Sequence, residues 1–325
     1  MWSETAPDDW RTIQQNLNAH FLQSSEWAEF QRALKRKVLF ASGEGWSWMA
    51  ILEKGQLGSR LYCPYGPTAN SWQAFTKALS VLTACAKIQH VAYVRVEPQT
   101  PLEEADFSDF KLVKAHRDIQ PRYTFVKDLT RPENELLAEM SATNRNLYRT
   151  AGNKGLRFRS SIHPDEVAIF LGMIHEVAGR NDIVVHGDWY YKRMVEALMP
   201  LGALKLYIAE ADGQPVASSL VFDSPTTRYY AHAANYAAAR KLHPGTPLLA
   251  HMIFDAKAAG QTHFDFFGVS PPDEPSHRWA GFTQFKESFG GEVVDMHGTW
   301  EISVNKIFYN TYRLATKASQ LRLKH

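Results

Sequence analysis

Residues 281–291 of this chain read GFTQFKESFGG and follow the short segment DFFG at residues 265–268. A single lysine, Lys286, stands there among phenylalanines and between glycines. Glycine lets a backbone approach a ligand closely, and aromatic neighbours exclude water and so strengthen the electrostatic contacts of an ammonium group. The pattern therefore suits an anion, or the oxyanion that forms during acyl transfer. The structural alternative is a lysine on a strand or loop that extends beside a core of the neighbouring phenylalanines.

The composition indicates a globular chain with an ordinary core. Its 325 residues fit two domains or one large one, and 45% of them are hydrophobic. Lys and Arg number 36 against 34 acidic residues, so any nucleic-acid contact must be a local patch. Two cysteines, an acidic N-terminus and no apolar run of membrane-spanning length predict a cytoplasmic protein. We expect a monomer.

Strand and helix signals alternate along the chain, which predicts an α/β fold with mixed α+β sheets. Two successive runs of helix, hairpin, helix and strand predict a duplicated unit. A break near residues 118–124 predicts one domain over residues 1–120, completed by a C-terminal helix within residues 300–325, and a second over residues 121–299. A helix is also predicted from Pro132 onward.

Five short motifs occur in an ordered series with compatible separations. They are QSSEW at residues 23–27, PYGP at 64–67, RVEP at 95–98, DFFG at 265–268 and FKESFGG at 285–291. Together they resemble the Fem family of peptidoglycan interpeptide-bridge aminoacyltransferases. The resemblance extends over nearly the whole chain, and its C-terminal block is the most specific part. The absence of a sustained heptad pattern argues against the coiled-coil arm of FemA- and FemB-like members, so the size is closer to FemX-like proteins.

The resemblance implies two tandem GNAT-like domains and a transferase that acts in cell-wall biogenesis. Members move an amino acid from aminoacyl-tRNA to an amine on the stem peptide of a peptidoglycan precursor. That precursor is either the nucleotide-linked UDP-MurNAc-pentapeptide or the lipid-linked lipid II, and the sequence leaves the choice open. Aminoacyl-tRNA is then a co-substrate and no cofactor is expected. With a lipid-linked acceptor, the protein would make peripheral contact with the inner face of the membrane.

The resemblance also implies roles for residues that match family positions. Lys286, preceded by Phe285, matches the lysine that contacts the terminal region of the donor and supports the reacting ester. Arg180 resembles the arginine that clamps the diphosphate of the acceptor, a role that suits the planar guanidinium fork. The alternative for Arg180 is stabilisation of a helix C-terminus.

In the first predicted domain, Gln31 stands near the place of a second phosphate-contacting lysine, and its neutral side chain departs from the family pattern. Tyr65 belongs to the PYGP motif and is expected to bind substrate. Glu97 would orient or deprotonate the attacking amine or bind a positive group on the stem peptide, or else pair with Arg95 or a nearby lysine. Asp265 would face the acceptor, or else hydrogen-bond its own turn.

Basic residues after Pro132 form a weaker candidate for tRNA binding. Arg145 and Arg149 are predicted on one helix face, with Lys154 close behind. The alternative is a solvated helix face.

Two other functions stay open at this stage. One is an acyl-CoA-dependent GNAT N-acyltransferase, for which residues 240–246, RKLHPGT, are the nearest phosphate-binding loop. This loop fits poorly, because His243 replaces the first glycine and Pro244 lacks a backbone N–H. The other is a non-catalytic protein that binds cell-wall precursors. The histidines are scattered without metal-ligand spacing, so no metal site is predicted.

Overall fold

The computed structural model describes residues 1–55, 58–99, 111–181 and 185–323. The chain forms two compact units: Met1–Arg122 with Asp295–His325, and Tyr123–Val294. Within the described ranges, no helix combines the length and the apolar character that crossing a membrane requires.

The first unit begins with α1 (Trp10–Asn16), α2 (Ser25–Ala33), β1 (Lys37–Gly43), β2 (Trp46–Glu53), β3 (Arg60–Cys63), β4 (Thr68–Ala69), α3 (Trp72–Ile88), β5 (Tyr93–Val96) and β6 (Val113–Lys114). The second unit comprises β7 (Tyr123–Asp128), α4 (Glu133–Glu139), α5 (Ala142–Thr150), β8 (Leu156–Ser161), α6 (Val167–Asn181), α7 (Asp188–Leu198), β9 (Leu204–Ala211), β10 (Gln214–Asp223), β11 (Thr227–Asn235), α8 (Gly245–Ala258), β12 (His263–Gly268) and α9 (Ala280–Glu287). Strand β13 (Glu292–Asp295) then leads back to the first unit, which ends with β14 (Trp300–Ser303) and α10 (Lys306–Leu323).

Each unit is built on one mixed sheet. The first sheet runs β1-β2-β3-β5-β14-β6, with β4 on β2, and the second runs β13-β7-β12-β11-β10-β9-β8. In both sheets an antiparallel run of three strands, β1-β2-β3 or β9-β10-β11, is followed by a helix and a strand parallel to the third. The predicted duplication and the tandem GNAT-like fold are therefore confirmed.

The helix that links the two parallel strands packs on its sheet in each unit. Ser71 caps α3 by accepting a hydrogen bond from the Ala74 N–H, and apolar residues of α3 such as Phe75 and Leu82 are fully buried against the first sheet. In the second unit Leu249 and Ile253 of α8 are equally buried. The core of each unit thus lies between its sheet and this helix.

The single helix predicted from Pro132 onward is wrong in its length. The chain forms two helices, α4 and α5, because Met140 adopts an extended conformation and Ser141 caps α5 through the Asn144 N–H. Arg145 donates to the carbonyl oxygens of Ala138 and Met140, which are the free acceptors at the end of α4.

Candidate active site

Lys286 lies on helix α9, not on the strand or loop that the structural alternative assumed. Its Nζ donates a hydrogen bond to the main-chain oxygen of Gly268 at 2.5 Å. One turn earlier, the hydroxyl of Thr283 accepts from the Ser270 N–H at 2.9 Å. Both contacts hold α9 against the end of β12 and the segment that follows it.

That segment is shaped by an irregularity at the end of β12. The register between β12 and β7 shifts between Asp265 and Gly268, and Phe267 adopts a left-handed backbone with φ +66°. The Phe267 N–H donates to Oδ1 of Asp265 at 2.6 Å, so this aspartate does hydrogen-bond its own turn. A non-glycine residue at positive φ is strained, and Asp265 helps to hold it. The carbonyl that Lys286 contacts belongs to Gly268, the residue directly after Phe267.

The same region is where the two parallel strands of the second sheet separate. Strand β11 pairs with β12 at three positions, from Thr227 with His263 to Tyr229 with Asp265. Beyond Tyr229, the described pairing of β11 is with β10 and extends to Asn235. Diverging parallel strands leave backbone groups available at their carboxyl ends, where α/β sheets commonly bind ligands. Asp265 therefore marks the point of divergence.

The electrostatics of Lys286 and Asp265 are coupled. Burial raises the pKa of Asp265, which is 5% exposed, to about 7, against the lowering influence of the Phe267 N–H and of Lys286. Burial lowers the pKa of Lys286 to about 8, and the charge of Asp265 opposes this change. Both groups consequently titrate close to neutral pH. Such perturbed pairs are typical of functional sites, although structural pairs show them as well.

The phenylalanines around Lys286 have three different environments. Phe289 is fully buried, and Phe285 packs edge-on against it with ring centroids 5.3 Å apart. Phe282 is 55% exposed, so a core formed by all three residues is wrong. The aromatic neighbours of Lys286 are thus packed at Phe285 and Phe289 and open to solvent at Phe282.

The glycines at 290 and 291 are explained by packing rather than by the approach of a ligand. Gly290 has φ +77°, and a Cβ there would lie 2.7 Å from Cβ of Glu139. Gly291 has φ +139°, and a Cβ there would lie 2.5 Å from the main-chain oxygen of Val126. The buried Nζ of Lys127 donates to the Phe289 carbonyl, which anchors this turn against β7. Only glycine fits both positions.

In the first unit, Glu97 is a buried carboxylate with four donors. Its Oε1 accepts from the Gln120 N–H at 2.9 Å and the Thr299 hydroxyl at 2.7 Å. Its Oε2 accepts from the Tyr62 hydroxyl at 2.7 Å and the Tyr65 N–H at 3.3 Å. Burial raises the pKa of Glu97, and the four hydrogen bonds act in the opposite direction. The site residues Glu97 and Tyr65 are therefore brought together.

The alternative pairing of Glu97 with Arg95 is wrong. Arg95 forms a buried ion pair with Glu301 on β14, with Nη2 and Oε1 2.7 Å apart. Tyr65 is itself buried, and its hydroxyl donates to the Pro121 carbonyl at 2.8 Å. Both groups thus have protein partners in this structure.

The remaining predicted site residues have other environments. Gln31 is buried on α2, and its Oε1 accepts from Nη1 of Arg36 at 2.9 Å. Arg180 belongs to α6, but its side chain is outside the described residues. Arg149 and Lys154 are exposed, whereas Arg145 is engaged at the end of α4.

Sequence reasoning missed the main-chain partner of Lys286 and the Ser270–Thr283 contact. A carbonyl oxygen has no sequence signature, so only the DFFG segment at residues 265–268 pointed toward it. No role was predicted for His232 from the sequence either. In the structure His232 lies on the diverging part of β11 against Tyr191, and burial, reinforced by His186, lowers its pKa to about 4. This imidazole is therefore neutral at physiological pH.

The start of α8 offers few donors for a phosphate group. His243 adopts a left-handed conformation with φ +49°, and Pro244 and Pro247 lie on either side of the first residues of the helix. Neither proline has an N–H, and the Leu248 N–H is bonded to the Pro244 carbonyl. The N–H groups left in this first turn belong to Gly245 and Thr246.

The fold agrees with the comparisons to known proteins. Residues 139–286 match the family model described as an acetyltransferase (GNAT) domain. No curated protein matches the sequence. The class is thus a protein of two tandem GNAT-like units, one of which carries an acyltransferase-type domain.

Within that class, the chain has the fold of FemX. The crystal structure of FemX superposes with a TM-score of 0.84 at 14% identity, over 96% of this chain and 99% of that one. L-PGS from Bacillus licheniformis gives a TM-score of 0.59 at 14% identity, over 93% of both chains. A tandem GNAT protein from the clavulanic acid biosynthesis pathway gives 0.50 at 13% identity, over 94% of this chain and 98% of that one.

Proposed function

We propose that this protein transfers an amino acid from aminoacyl-tRNA to an amine on the stem peptide of a peptidoglycan precursor. The observation that carries the proposal is the position of Lys286. Its ammonium group, oriented by the Gly268 carbonyl, lies beside the point where β11 and β12 diverge, on a fold that matches FemX over nearly its whole length.

The chemistry needs a cation more than it needs a strong base. The amine attacks the ester carbonyl, a C–N bond forms, and the carbonyl oxygen becomes an oxyanion. When the intermediate collapses, the C–O bond to the tRNA ribose breaks; the amine loses a proton and the ribose oxygen gains one. An ammonium group at Lys286 would stabilise the oxyanion in a poorly hydrated site, where such contacts are strongest.

Asp265 has two roles in this proposal. It holds the strained Phe267 and thereby places the Gly268 carbonyl, and its charge keeps Lys286 protonated near neutral pH. Arg180 and Tyr65 remain proposals for the acceptor side, with Glu97 holding the main chain of Tyr65, and Arg149 and Lys154 remain proposals for tRNA phosphate.

An acyl-CoA donor is the second candidate, and the acetyltransferase (GNAT) match over residues 139–286 favours it. The geometry at the start of α8 argues against it. A pyrophosphate is normally held by several free N–H groups at a helix N-terminus, and Pro244 and Pro247 remove two of them.

Both candidate functions are tested by combining each possible donor with each possible acceptor. Purified protein is incubated with charged tRNA or acetyl-CoA, and with UDP-linked pentapeptide, lipid-linked pentapeptide or phosphatidylglycerol. The products are then weighed by mass spectrometry. We expect the mass of one or more amino-acid residues on a pentapeptide acceptor, with charged tRNA only.

Other outcomes of the same experiment would contradict the proposal. Transfer from acetyl-CoA alone would show that the donor is acyl-CoA. Transfer to phosphatidylglycerol alone would show that the acceptor is a lipid and not a stem peptide. Pentapeptide binding without transfer from any donor would support a non-catalytic binding protein.

A further inference from the structure

Helix α10 is held on the first unit by one face. Tyr309 is buried, and its hydroxyl donates to Glu301 at 3.1 Å. The ring of Tyr312 stacks on Tyr93 with centroids 4.7 Å apart, and its hydroxyl accepts from Arg95 at 2.6 Å. All five side chains meet in one aromatic and ionic cluster, so the helix has a fixed orientation on the sheet.

The opposite face of α10 exposes large apolar side chains. Ile307 is 79% exposed and Leu314 is 71% exposed. Their seven-residue separation places them on the same side of a helix, with Thr311 between them. Phe308 is 54% exposed on the adjacent position. Clustered exposed apolar residues on a helix commonly mark a binding surface.

The C-terminal segment that contains α10 carries charged residues of one sign in its sequence. Residues 306–325 contain five basic residues and no acidic one: Lys306, Arg313, Lys317, Arg322 and Lys324. Because the whole chain carries only +2, the rest of it carries a net charge of −3. Lys306 and Lys317 are both exposed, and their eleven-residue separation places them along one edge of the apolar face.

We propose that the exposed face of α10, formed by Ile307, Phe308, Leu314, Lys306 and Lys317, docks onto the surface of a lipid bilayer that contains anionic lipids. An amphipathic helix with apolar residues on one face and lysines at its edge lies in the plane of a membrane interface. Lysine and arginine near an anionic leaflet add electrostatic attraction. The helix lies on the membrane and does not cross it.

Two other occupants fit the face less well. A second copy of the same helix would bring two surfaces of like charge together, which opposes association. A nucleic acid would satisfy the lysines but would leave Ile307 and Leu314 without apolar partners, because its outer surface is phosphate and sugar. The docking does not depend on which donor or acceptor the enzyme uses.

Co-sedimentation with vesicles tests the proposal on the full chain. One vesicle preparation contains phosphatidylcholine alone, and the other contains one part phosphatidylglycerol to two parts phosphatidylcholine. We expect binding to the second and not to the first, weakening as salt is raised. Ile307→Ser with Leu314→Ser should reduce binding about tenfold, and Lys306→Gln with Lys317→Gln by a similar factor.

Matched variants elsewhere serve as controls. Ile162→Ser with Leu201→Ser removes two exposed apolar residues of the second unit, and Lys77→Gln with Lys192→Gln removes two exposed lysines. Both pairs should bind vesicles like the unmodified protein. A fluorophore sensitive to polarity on Thr311→Cys should shift to the blue with anionic vesicles.

Three results would overturn the inference. The first is vesicle binding that Ile307→Ser with Leu314→Ser leaves unchanged, or that occurs without the fluorescence shift. The second is a dimer in sedimentation velocity that this double variant abolishes. The third is tRNA binding that falls with the same double variant while vesicle binding is absent.

Discussion

Lys286 Nζ and the main-chain oxygen of Gly268 are 2.5 Å apart, so the lysine of helix α9 is fixed by a carbonyl at the strained end of β12. A hydrogen bond to an uncharged carbonyl orients the ammonium group without neutralising it. The remaining N–H groups of the lysine stay available to a substrate. Orientation without neutralisation is what stabilisation of a developing oxyanion requires.

Lys286→Met should abolish most of the transfer activity while the fold is retained. Methionine has a similar length and no charge, so kcat should fall by about a hundredfold to a thousandfold, the range expected when an oxyanion donor is lost. Steady-state kinetics with charged tRNA and pentapeptide measure the loss, and circular dichroism checks the fold. A larger effect on KM than on kcat would assign Lys286 to donor binding instead.

Lys257→Met is the matched control. Lys257 is also a half-buried lysine near the end of a helix, and its Nζ donates to the Leu129 carbonyl at 2.7 Å. It belongs to α8 and takes no part in the proposed site. Its variant should keep kcat within a fewfold of the unmodified enzyme; equal losses in both variants would show that the effect at Lys286 is structural.

Asp265→Asn should change the way stability depends on pH. The pKa of Asp265 is about 7 in the folded protein against an ordinary 3.8, so the native state binds more protons between these values and loses stability as pH rises through them. At pH 7.5 the variant should therefore be more stable than the unmodified protein, by on the order of 2 kcal/mol. At pH 4 the difference should largely disappear. Urea unfolding at both pH values measures it.

The lysine partner acts mainly at higher pH in the unmodified protein, and loss of the Asp265 charge lowers the pKa of Lys286 further. Lys286 has a lowered pKa of about 8 against 10.5, so its own contribution changes in the alkaline range, where stability rises with pH. A stability difference between Asp265→Asn and the unmodified protein that stays constant from pH 4 to pH 7.5 would refute the raised pKa of Asp265.

Much of the fold could be predicted from the sequence, because its signals are local. Ser71 before α3 is a cap whose pattern needs no tertiary information, and the alternation of strands and helices predicted the duplicated sheet. The break between α4 and α5 was missed. Neither residue at the break, Met140 or Ser141, is a glycine or a proline. The break depends on tertiary contacts such as the hydrogen bond that the Ser141 N–H donates to the Ser288 carbonyl.

The candidate site was predicted in its residues but not in its contacts. Lys286 and Asp265 are twenty-one positions apart in the sequence. Their interaction depends on the irregularity between Asp265 and Gly268 in β12, which no residue type predicts. The glycines at 290 and 291 suggested a ligand site from the sequence. Glycine at such positions, however, is equally required where the protein's own backbone packs closely, so the sequence does not distinguish the two causes. Only the distance to Val126 distinguishes the two.

Glu97→Gln should destabilise the first unit by about 2–3 kcal/mol. Each carboxylate oxygen faces a main-chain N–H, from Gln120 or Tyr65, so either orientation of the new amide places its NH2 against a donor that cannot turn away. Urea unfolding measures the loss. Glu29→Gln, at an exposed helix position, should change stability by no more than about 0.5 kcal/mol.

The same variant separates a structural from a catalytic role of Glu97. At a temperature where the variant is folded, kcat should stay within a fewfold of the unmodified value, because all four acceptor positions are already occupied by protein donors. Unchanged stability together with lost turnover would instead assign Glu97 to the reaction.

Gly291→Ala and Gly281→Ala should have opposite effects although both lie in the GFTQFKESFGG stretch at residues 281–291. A methyl at Gly291 would lie 2.5 Å from the Val126 oxygen at φ +139°, so we expect a loss of on the order of 3 kcal/mol. At Gly281, in helix α9, a methyl meets nothing within 4 Å, and alanine should add about 0.5–1 kcal/mol. Chemical denaturation measures the stability of both variants. The transfer activity of the Gly281→Ala variant is measured as well. If the donor or the acceptor approaches α9 at Gly281, the stabilised variant should lose turnover. That result would place the substrate at the exposed first turn of α9, near Phe282. Full activity would show that the substrate reaches Lys286 from another direction.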